Sequence, residues 1–359
     1  MVDHAEEPLE LPEELSTGRL LRRALSVIAL LVVVGLIAAF APGLADVRRH
    51  FADASPGWLV VGVVLEFLSC VSYVAMFRPV FCGATSWRTS WEIGWSELAV
   101  GSLLPASGAG GLALGAWILS QEGMPAERIA RRSVAFFLIK SSVNFVAVAV
   151  IGTLMALGVG PHRSPLLTVL PAALSLLVIA VVLLLPRIGT GPAPGPDAGR
   201  AWRAVSAVRR AVVVGAREAV QIVRSGNLLV IGGSIGYWAF DNLVLWATFR
   251  AFETSVPLTV LLMGYLIGQL GGLLPIPGGV GGIDGGLIGT LIVYGAPAAA
   301  TAAAVLAYRV ILFWLPLLVG AAAFVSLRRG LNRPDRPDLC RSPAPADIPT
   351  VRLPRPGEV

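Results

Sequence analysis

A glycine- and proline-dense segment interrupts a long apolar region in the second half of the chain. Residues Gly271–Leu287 read GGLLPIPGGVGGIDGGL and contain a single acidic residue, Asp284. The flanking apolar runs, Val256–Leu270 and Ile288–Val293, are each shorter than the about 20 residues that a membrane-crossing helix needs. Irregular backbone at membrane depth is stable only where protein or a water-filled cavity satisfies its polar groups. The segment therefore predicts the tip of a re-entrant helical hairpin, which is typical of a transporter binding site.

A second segment of the same kind, Gly101–Trp117, reads GSLLPASGAGGLALGAW. At an offset of 170 residues, six positions agree: Leu103, Leu104, Pro105, Gly108, Gly111 and Gly115 match Leu273, Leu274, Pro275, Gly278, Gly281 and Gly285. Two unrelated glycine-rich turns would explain the glycines alone, because the chain contains 40 of them. The shared Leu-Leu-Pro spacing favours a duplicated hairpin.

The remaining sequence predicts an all-α polytopic membrane protein. With 55% apolar and 14% charged residues and a mean hydropathy of +0.76, the chain is too apolar for a soluble domain. Six full spans are predicted at about Ala24–Leu44, Gly57–Phe77, Ser133–Val159, Pro165–Leu185, Leu228–Ala247 and Pro297–Leu327, with hairpins at about 91–120 and 256–294. The membrane domain then covers residues 19–328, between a disordered acidic arm at 1–18 and a disordered Pro/Arg-rich tail at 329–359.

The placement of arginines predicts how the chain is oriented. With a cytoplasmic N-terminus and hairpins that return to the side they left, 22 arginines fall on the cytoplasmic side and four outside. This distribution satisfies the positive-inside rule. The two hairpins then enter from opposite sides, as an inverted repeat requires. We expect a multi-pass protein of the inner (plasma) membrane with both termini in the cytoplasm.

An arginine-rich segment, Ala201–Arg224, separates the fourth and fifth predicted full spans. Its arginines recur every seventh residue, at Arg203, Arg210, Arg217 and Arg224. Apolar residues are available for the opposite face: Trp202, Val205, Val208, Val212 and Val220. The pattern predicts an amphipathic helix on the anionic inner leaflet. An ordinary cytoplasmic helix packed on the bundle fits the same pattern.

A few ionisable groups lie within the apolar segments, where charge is costly and often functional. The candidates are Asp284, Arg309, Lys140 (the only lysine), and Asp241 with its neighbour Asn242, while Glu66, Glu92 and Glu97 rank lower. In one interpretation, Asp284 or Asp241 pairs with Arg309 or Lys140 and stabilises the bundle. In the other, the cations attract an anionic headgroup and the carboxylates tune charge or carry protons.

The hairpin tips supply a different kind of candidate. The residues concerned are Pro105, Gly108, Gly111, Pro275, Pro277, Gly278, Gly279 and Gly281. Glycines there adopt positive φ without strain, and half-helix N-termini present free N–H groups to an anion such as phosphate. The alternative is that small residues only permit close helix packing.

No arrangement of residues predicts an enzyme. The three histidines, His4, His50 and His162, fall in predicted loops or tails, and HExxH and Walker A motifs are absent. The net charge of +6 comes from arginines between apolar segments, which does not indicate nucleic-acid binding. We therefore expect no cofactor, no metal and no catalytic residues.

The motif PIPGGVGGIDGGL at 275–287, followed by Tyr308-Arg309 and by FWLP at 313–316, resembles the transmembrane region of lysylphosphatidylglycerol synthases. FDNLVLW at 240–246 and Leu104-Pro105 are similar to the same family of bacterial and archaeal inner-membrane proteins, over about residues 20–328. The resemblance implies a flippase domain that moves a phospholipid headgroup between leaflets. Full-length synthases fuse this domain to a soluble aminoacyl transferase, for which residues 328–359 are too short, so synthase activity is not expected.

Two departures from the family pattern bear on the site. The family usually has glutamate where this chain has Asp284, which keeps the charge and shortens its reach. Many members carry an arginine just after the first-hairpin glycines, and Leu112–Trp117 has no charge. Lys140 is then a candidate substitute, or the substrate differs.

Three hypotheses remain from the sequence. The first is a flippase-like transporter of a phospholipid or lipid-linked headgroup, with membrane lipids as its partners. The second is a proton-coupled transporter of a small anion that uses Asp284. The third is a non-transporting membrane partner of a separate enzyme. A homo-oligomer is compatible with each of them.

Overall fold

The regular structure is helical throughout the residues that the computed structural model describes, which are 51–83, 85–103, 109–121, 123–159, 165–187, 189–191, 199–268, 282–331 and parts of 18–29. The helices are α1 (Pro56–Phe81), α2 (Trp87–Leu103), α3 (Ala109–Gln121), α4 (Ala126–Ala156), α5 (Pro165–Leu184), α6 (Arg200–Arg224), α7 (Leu228–Ala251), α8 (Leu258–Gly268), α9 (Gly282–Val293) and α10 (Ala298–Leu331). In this part of the chain, α1, α4, α5, α7 and α10 are long and apolar enough to cross a membrane. The predicted all-α polytopic fold is confirmed.

Some predicted segments lie wholly or largely outside the described residues. These are the acidic arm at 1–18, the first span at about 24–44 and the tail at 329–359. The other five predicted spans correspond to α1, α4, α5, α7 and α10 within a few residues at most ends.

The two predicted hairpins are present as short antiparallel helix pairs, α2 with α3 and α8 with α9. At 1.5 Å per residue, the 11-residue α8 and the 12-residue α9 are about 16 and 18 Å long. Neither spans a hydrocarbon core of about 30 Å. Gly264 lies against Leu291, and a Cβ on Gly268 would lie 2.6 Å from the Cα of Leu287. Glycine thus permits the close approach of the two arms.

The helix order of the first half recurs in the second half. The series α1–α2–α3–α4 begins its first, second and fourth helices at residues 56, 87 and 126, and α7–α8–α9–α10 begins the equivalent helices at 228, 258 and 298. With the third helices beginning at residues 109 and 282, the offset is 171 to 173 residues along the whole repeat. The duplication predicted from the two hairpin segments extends to complete four-helix units.

The equivalent helices α1 and α7 pack against each other in opposite directions. Their contacts pair rising numbers in α1 with falling numbers in α7: Trp58 with Trp246, Ser69 with Tyr237, and Met76 with Gly233. A direct repeat of a membrane unit would place equivalent helices parallel, whereas an inverted repeat places them antiparallel. The observed packing therefore confirms the inverted repeat.

Helix α6 packs on the N-terminal end of α4. The carboxylate of Glu218 forms ion pairs with both Arg131 and Arg132, with N–O distances of 3.1 and 3.0 Å, and Arg217 Nε donates to the Pro186 carbonyl at 2.9 Å. Its buried side chains include Val213, Ala216 and Ala219. The C-terminal half of α6 thus matches the bundle-packed alternative, while its N-terminal half leaves three apolar side chains more than half exposed, namely Trp202, Val205 and Val208.

Candidate functional site

An ion pair joins the second hairpin to the last helix. Arg309, in the middle of α10, places Nε 2.6 Å from Asp284 Oδ1. Asp284 lies in the first turn of α9, where the helix dipole favours a negative charge. The two side chains are 14% and 19% exposed, for Asp284 and Arg309 respectively. The pair is therefore neither sealed in the core nor fully hydrated, and this intermediate burial leaves room for an anion to compete for Arg309.

A buried carboxylate lies in α7 of the same half. Asp241 is 8% exposed, and its two oxygens accept hydrogen bonds from the hydroxyls of Tyr265 in α8 and Tyr308 in α10, the latter at 2.8 Å. Tyr308 directly precedes Arg309 in the sequence. Asp241 therefore links a span, the second hairpin and the helix that carries the ion pair.

The neighbouring Asn242 does not join this network. Its side-chain amide donates to the Trp238 carbonyl one turn earlier in α7, at 2.8 Å. Its Oδ1 is buried and has no hydrogen-bond partner among the described residues. The sequence prediction grouped Asp241 and Asn242, and the structure places them in different environments.

Lys140 belongs to a second cluster, in the first half. Its ammonium lies 5.6 Å from the ring centroids of both Tyr73 in α1 and Tyr237 in α7, within cation–π range. The Tyr73 hydroxyl donates to Glu97 of α2 at 2.8 Å, and the charges of Lys140 and Glu97 interact. The sequence left open which of Asp284 and Asp241 pairs with which of Arg309 and Lys140, and the structure shows Arg309 with Asp284. The contacts described for Lys140 are with the Glu97 cluster.

Gly111 packs against the carboxylate-bearing helix of its hairpin. A Cβ at Gly111 would overlap the backbone carbonyl of Glu97, and a Cβ at Gly115 would overlap the Glu97 carboxylate. In α3 these two glycines serve close packing, which was the alternative to anion binding. The remaining tip candidates lie outside the described residues: Pro105, Gly108, Pro275, Pro277, Gly278, Gly279 and Gly281.

A mostly apolar groove begins one residue after Asp284. It has a volume of about 410 Å³ and is lined in part by Gly285, Gly289 and Val293 of α9, and by Leu167 of α5. A Cβ at Gly285 or Gly289 would meet no atom within 4 Å, so the missing side chains leave open space. Helix α9 thus carries both one partner of the ion pair, Asp284, and part of the lining of an open apolar groove.

The match of the chain to a known family covers both clusters. The family model described as the lysylphosphatidylglycerol synthase TM region matches residues 26–320. The chain belongs to this family. It is similar to two proteins of Methanothermobacter thermautotrophicus, each named UPF0104 membrane protein. One is 25% identical over 82% of this chain and 94% of the relative, and the other is 28% identical over 84% and 92%. The chain is therefore a multi-pass membrane protein of the lysylphosphatidylglycerol synthase TM-region family.

Sequence reasoning missed the tyrosines of this family member. Tyr73, Tyr265 and Tyr308 each donate to a buried carboxylate, and all three lie in apolar runs where tyrosine was counted among the apolar residues. A signal was available, because a buried tyrosine hydroxyl requires an acceptor. The sequence identified the acceptors, Glu97 and Asp241, as charged candidates. It did not show which tyrosines of other helices donate to them.

Proposed function

We propose that the chain is a flippase-like transporter that moves a phospholipid or lipid-linked headgroup between the leaflets of the inner (plasma) membrane. The observation that carries the proposal is the partly exposed Asp284–Arg309 pair on the same helix as an apolar groove, which is lined by residues that follow Asp284 in α9. An anionic headgroup can exchange with Asp284 for the guanidinium of Arg309, which suits phosphate oxygens through paired N–H donors. The groove along α9 then offers an apolar path for the acyl chains. A soluble anion would need the charge without the groove.

Transport rather than catalysis is the role that these residues support. The described contacts of Asp241, Asp284 and Glu97 are with tyrosine hydroxyls and an arginine, and these form a charge-balancing network. In the family, catalytic synthesis is expected of a separate soluble domain.

The charge distribution supports a cytoplasmic location for both termini. The N-terminal end of α4, the C-terminal end of α5 and the helix α6 lie together, because Glu218 and Arg217 of α6 bond to Arg131, Arg132 and Pro186. This arginine-rich side is cytoplasmic under the positive-inside rule. We further propose that Arg203, Arg210, Arg217 and Arg224 face anionic inner-leaflet lipid, with Arg217 also bonded to Pro186. Because the chain has nine tryptophans, the expected signature is quenching of tryptophan fluorescence by brominated lipid that is smaller in Trp202→Phe than in wild type.

The proposal is tested in proteoliposomes with a fluorescent phosphatidylglycerol and a quencher that cannot cross the bilayer. Wild-type protein is expected to make inner-leaflet probe accessible to the quencher faster than empty vesicles do. Equal rates in empty and protein-containing vesicles would contradict lipid movement. Uptake of a radiolabelled soluble anion under a pH gradient, without probe movement, would indicate the small-anion transporter instead.

Filling the groove is expected to slow lipid movement without unfolding the protein. In Gly289→Phe, the new ring enters the open space along α9 and occupies the proposed acyl path. We expect the rate of probe movement to fall about tenfold, the effect of roughly 1.4 kcal/mol. The matched control is Gly232→Phe on α7, which is also exposed and has no atom within 4 Å of an added Cβ. Equal loss in both variants would count against the groove as the path.

A further inference from the structure

Two buried carboxylates lie at the same level of the crossing between the two halves of the molecule. Glu66 lies on α1 and Asp241 on α7, which run antiparallel. One turn to one side, a Cβ on Gly62 would lie 3.8 Å from Val244, and one turn to the other side Ser69 Oγ donates to the Tyr237 carbonyl at 3.1 Å. Glu66 and Asp241 occupy the level between these contacts. The negative charge of Asp241 therefore disfavours a second negative charge on Glu66.

The two carboxylates differ in their hydrogen bonds. Both oxygens of Asp241 accept from tyrosine hydroxyls, as described above, which suits an ionised group. Glu66 is 5% exposed, its Oε1 accepts from Cys70 Sγ at 3.4 Å, and its Oε2 has no hydrogen-bond partner among the described residues. An ionised Glu66 would therefore be a buried anion with one weak donor and an anionic neighbour.

The cations in the two clusters, Arg309 and Lys140, do not remove the energetic cost of ionising the buried Glu66. Several helices supply charged and titratable groups around Glu66. Helix α1 supplies Cys70, α7 supplies Asp241 and Tyr237, and α8 supplies Tyr265. Helix α10 supplies Tyr308 and Arg309, and α2 and α4 supply Glu97 and Lys140. Arg309 acts on Asp241 and is bound to Asp284. Lys140 lies over the rings of Tyr73 and Tyr237, in the cluster that contains Glu97. Two adjacent carboxylates in such surroundings do not both stay ionised.

We propose that Glu66 and Asp241 form a proton-binding site that holds one exchangeable proton, carried by Glu66, at the crossing of the inverted repeats. This inference deepens the proposed lipid movement, and its coupling to transport rests on that function. The proton comes from water and returns to water, so no other reactant is needed. When it leaves, two negative charges face each other across the α1–α7 contact.

The site is connected to the hairpin and to the headgroup-binding arginine. Repulsion from an ionised Glu66 acts on Asp241, and Asp241 holds Tyr265 of the second hairpin and Tyr308 next to Arg309. A change in proton occupancy therefore acts on both elements that form the proposed lipid site. We expect the protonated form to support lipid movement and the deprotonated form to oppose it, so that the rate falls as pH rises.

Proton occupancy is measured first, by infrared difference spectroscopy of the reconstituted full chain. The wild-type protein is expected to show a protonated-carboxyl C=O band at neutral pH that disappears with rising pH and is absent from Glu66→Gln. The control is Glu92→Gln, because Glu92 is paired with Arg88 at 3.2 Å and Ser326 at 2.7 Å outside the site. An unchanged band in Glu66→Gln would overturn the proton site, whether or not the protein moves lipid.

Coupling is measured next, as the pH dependence of fluorescent-lipid movement. We expect a change of about tenfold across the titration in wild type and in Glu92→Gln, and a pH-independent rate in Glu66→Gln, whose amide mimics the protonated form. A pH profile in Glu66→Gln identical to wild type would overturn the coupling. If wild type moves no lipid while the infrared band behaves as expected, the proposed function fails and the proton site stands.

Discussion

Neutralising both partners of the ion pair, as Asp284→Asn with Arg309→Gln, is expected to leave a folded protein that no longer moves lipid. Breaking a buried ion pair on one side costs about 3–5 kcal/mol because a charge is left unpaired, and the partial exposure of this pair places it at or below the lower end of that range. Removing both charges avoids that penalty. If Arg309 binds the headgroup, the double variant still lacks the guanidinium and transport falls about 30-fold, the loss of a charged contact of about 2 kcal/mol.

A double-mutant cycle of four proteins separates a structural role of the ion pair from a role in headgroup binding. Thermal unfolding in detergent and the proteoliposome assay are measured on wild type, Asp284→Asn, Arg309→Gln and the double variant. A pair with a purely structural role predicts that the double variant recovers both stability and transport. Recovery of stability alone supports headgroup binding. Recovery of transport would remove Arg309 from the proposed site.

Gly233→Ala is expected to destabilise the protein, whereas the same change at the preceding residue is expected to stabilise it slightly. At Gly233 an added Cβ would lie 2.7 Å from the Ser72 carbonyl and 3.0 Å from Met76 Cβ, at the α1–α7 crossing. Overpacking of this kind typically costs about 1–3 kcal/mol. At Gly232 an added Cβ meets no atom within 4 Å, and alanine is the better helix former by about 1 kcal/mol.

The two glycine variants are compared by thermal unfolding in the same detergent. A lower transition temperature for Gly233→Ala alone supports the antiparallel contact between the repeats. Equal transition temperatures would show that α1 and α7 are not in close contact at this level, and the level at which Glu66 faces Asp241 would then need revision. The pair of variants therefore also checks the geometry on which the proton site depends.

Most of the fold was predictable from local sequence. The spans follow from hydropathy, because a bilayer requires long apolar helices, and the hairpins follow from apolar arms that are too short to cross. The duplication was visible as one Leu-Leu-Pro spacing repeated after 170 residues. The arginine distribution then required the repeats to be inverted, and the antiparallel α1–α7 contact agrees with it.

The grouping of the charged residues was less predictable. Asp284 and Arg309 are near in sequence, and their pairing was one of the interpretations considered. Lys140 was considered with them, whereas its described contacts are with Tyr73 and Tyr237, near Glu97. Which carboxylate a lysine faces depends on the rotation and packing of helices that are distant in sequence, and hydropathy is insensitive to both.

The sequence by itself determined that this chain is a duplicated helical membrane protein with scarce charge at its broken helices. The energetic cost of polar groups in lipid is large enough to be read from residue types alone. Only the tertiary structure decided that the charges form two clusters, that tyrosines supply their hydrogen bonds, and that Glu66 meets Asp241. Those pairings arise where the halves cross, since a buried polar atom takes its partner from whichever helix lies against it.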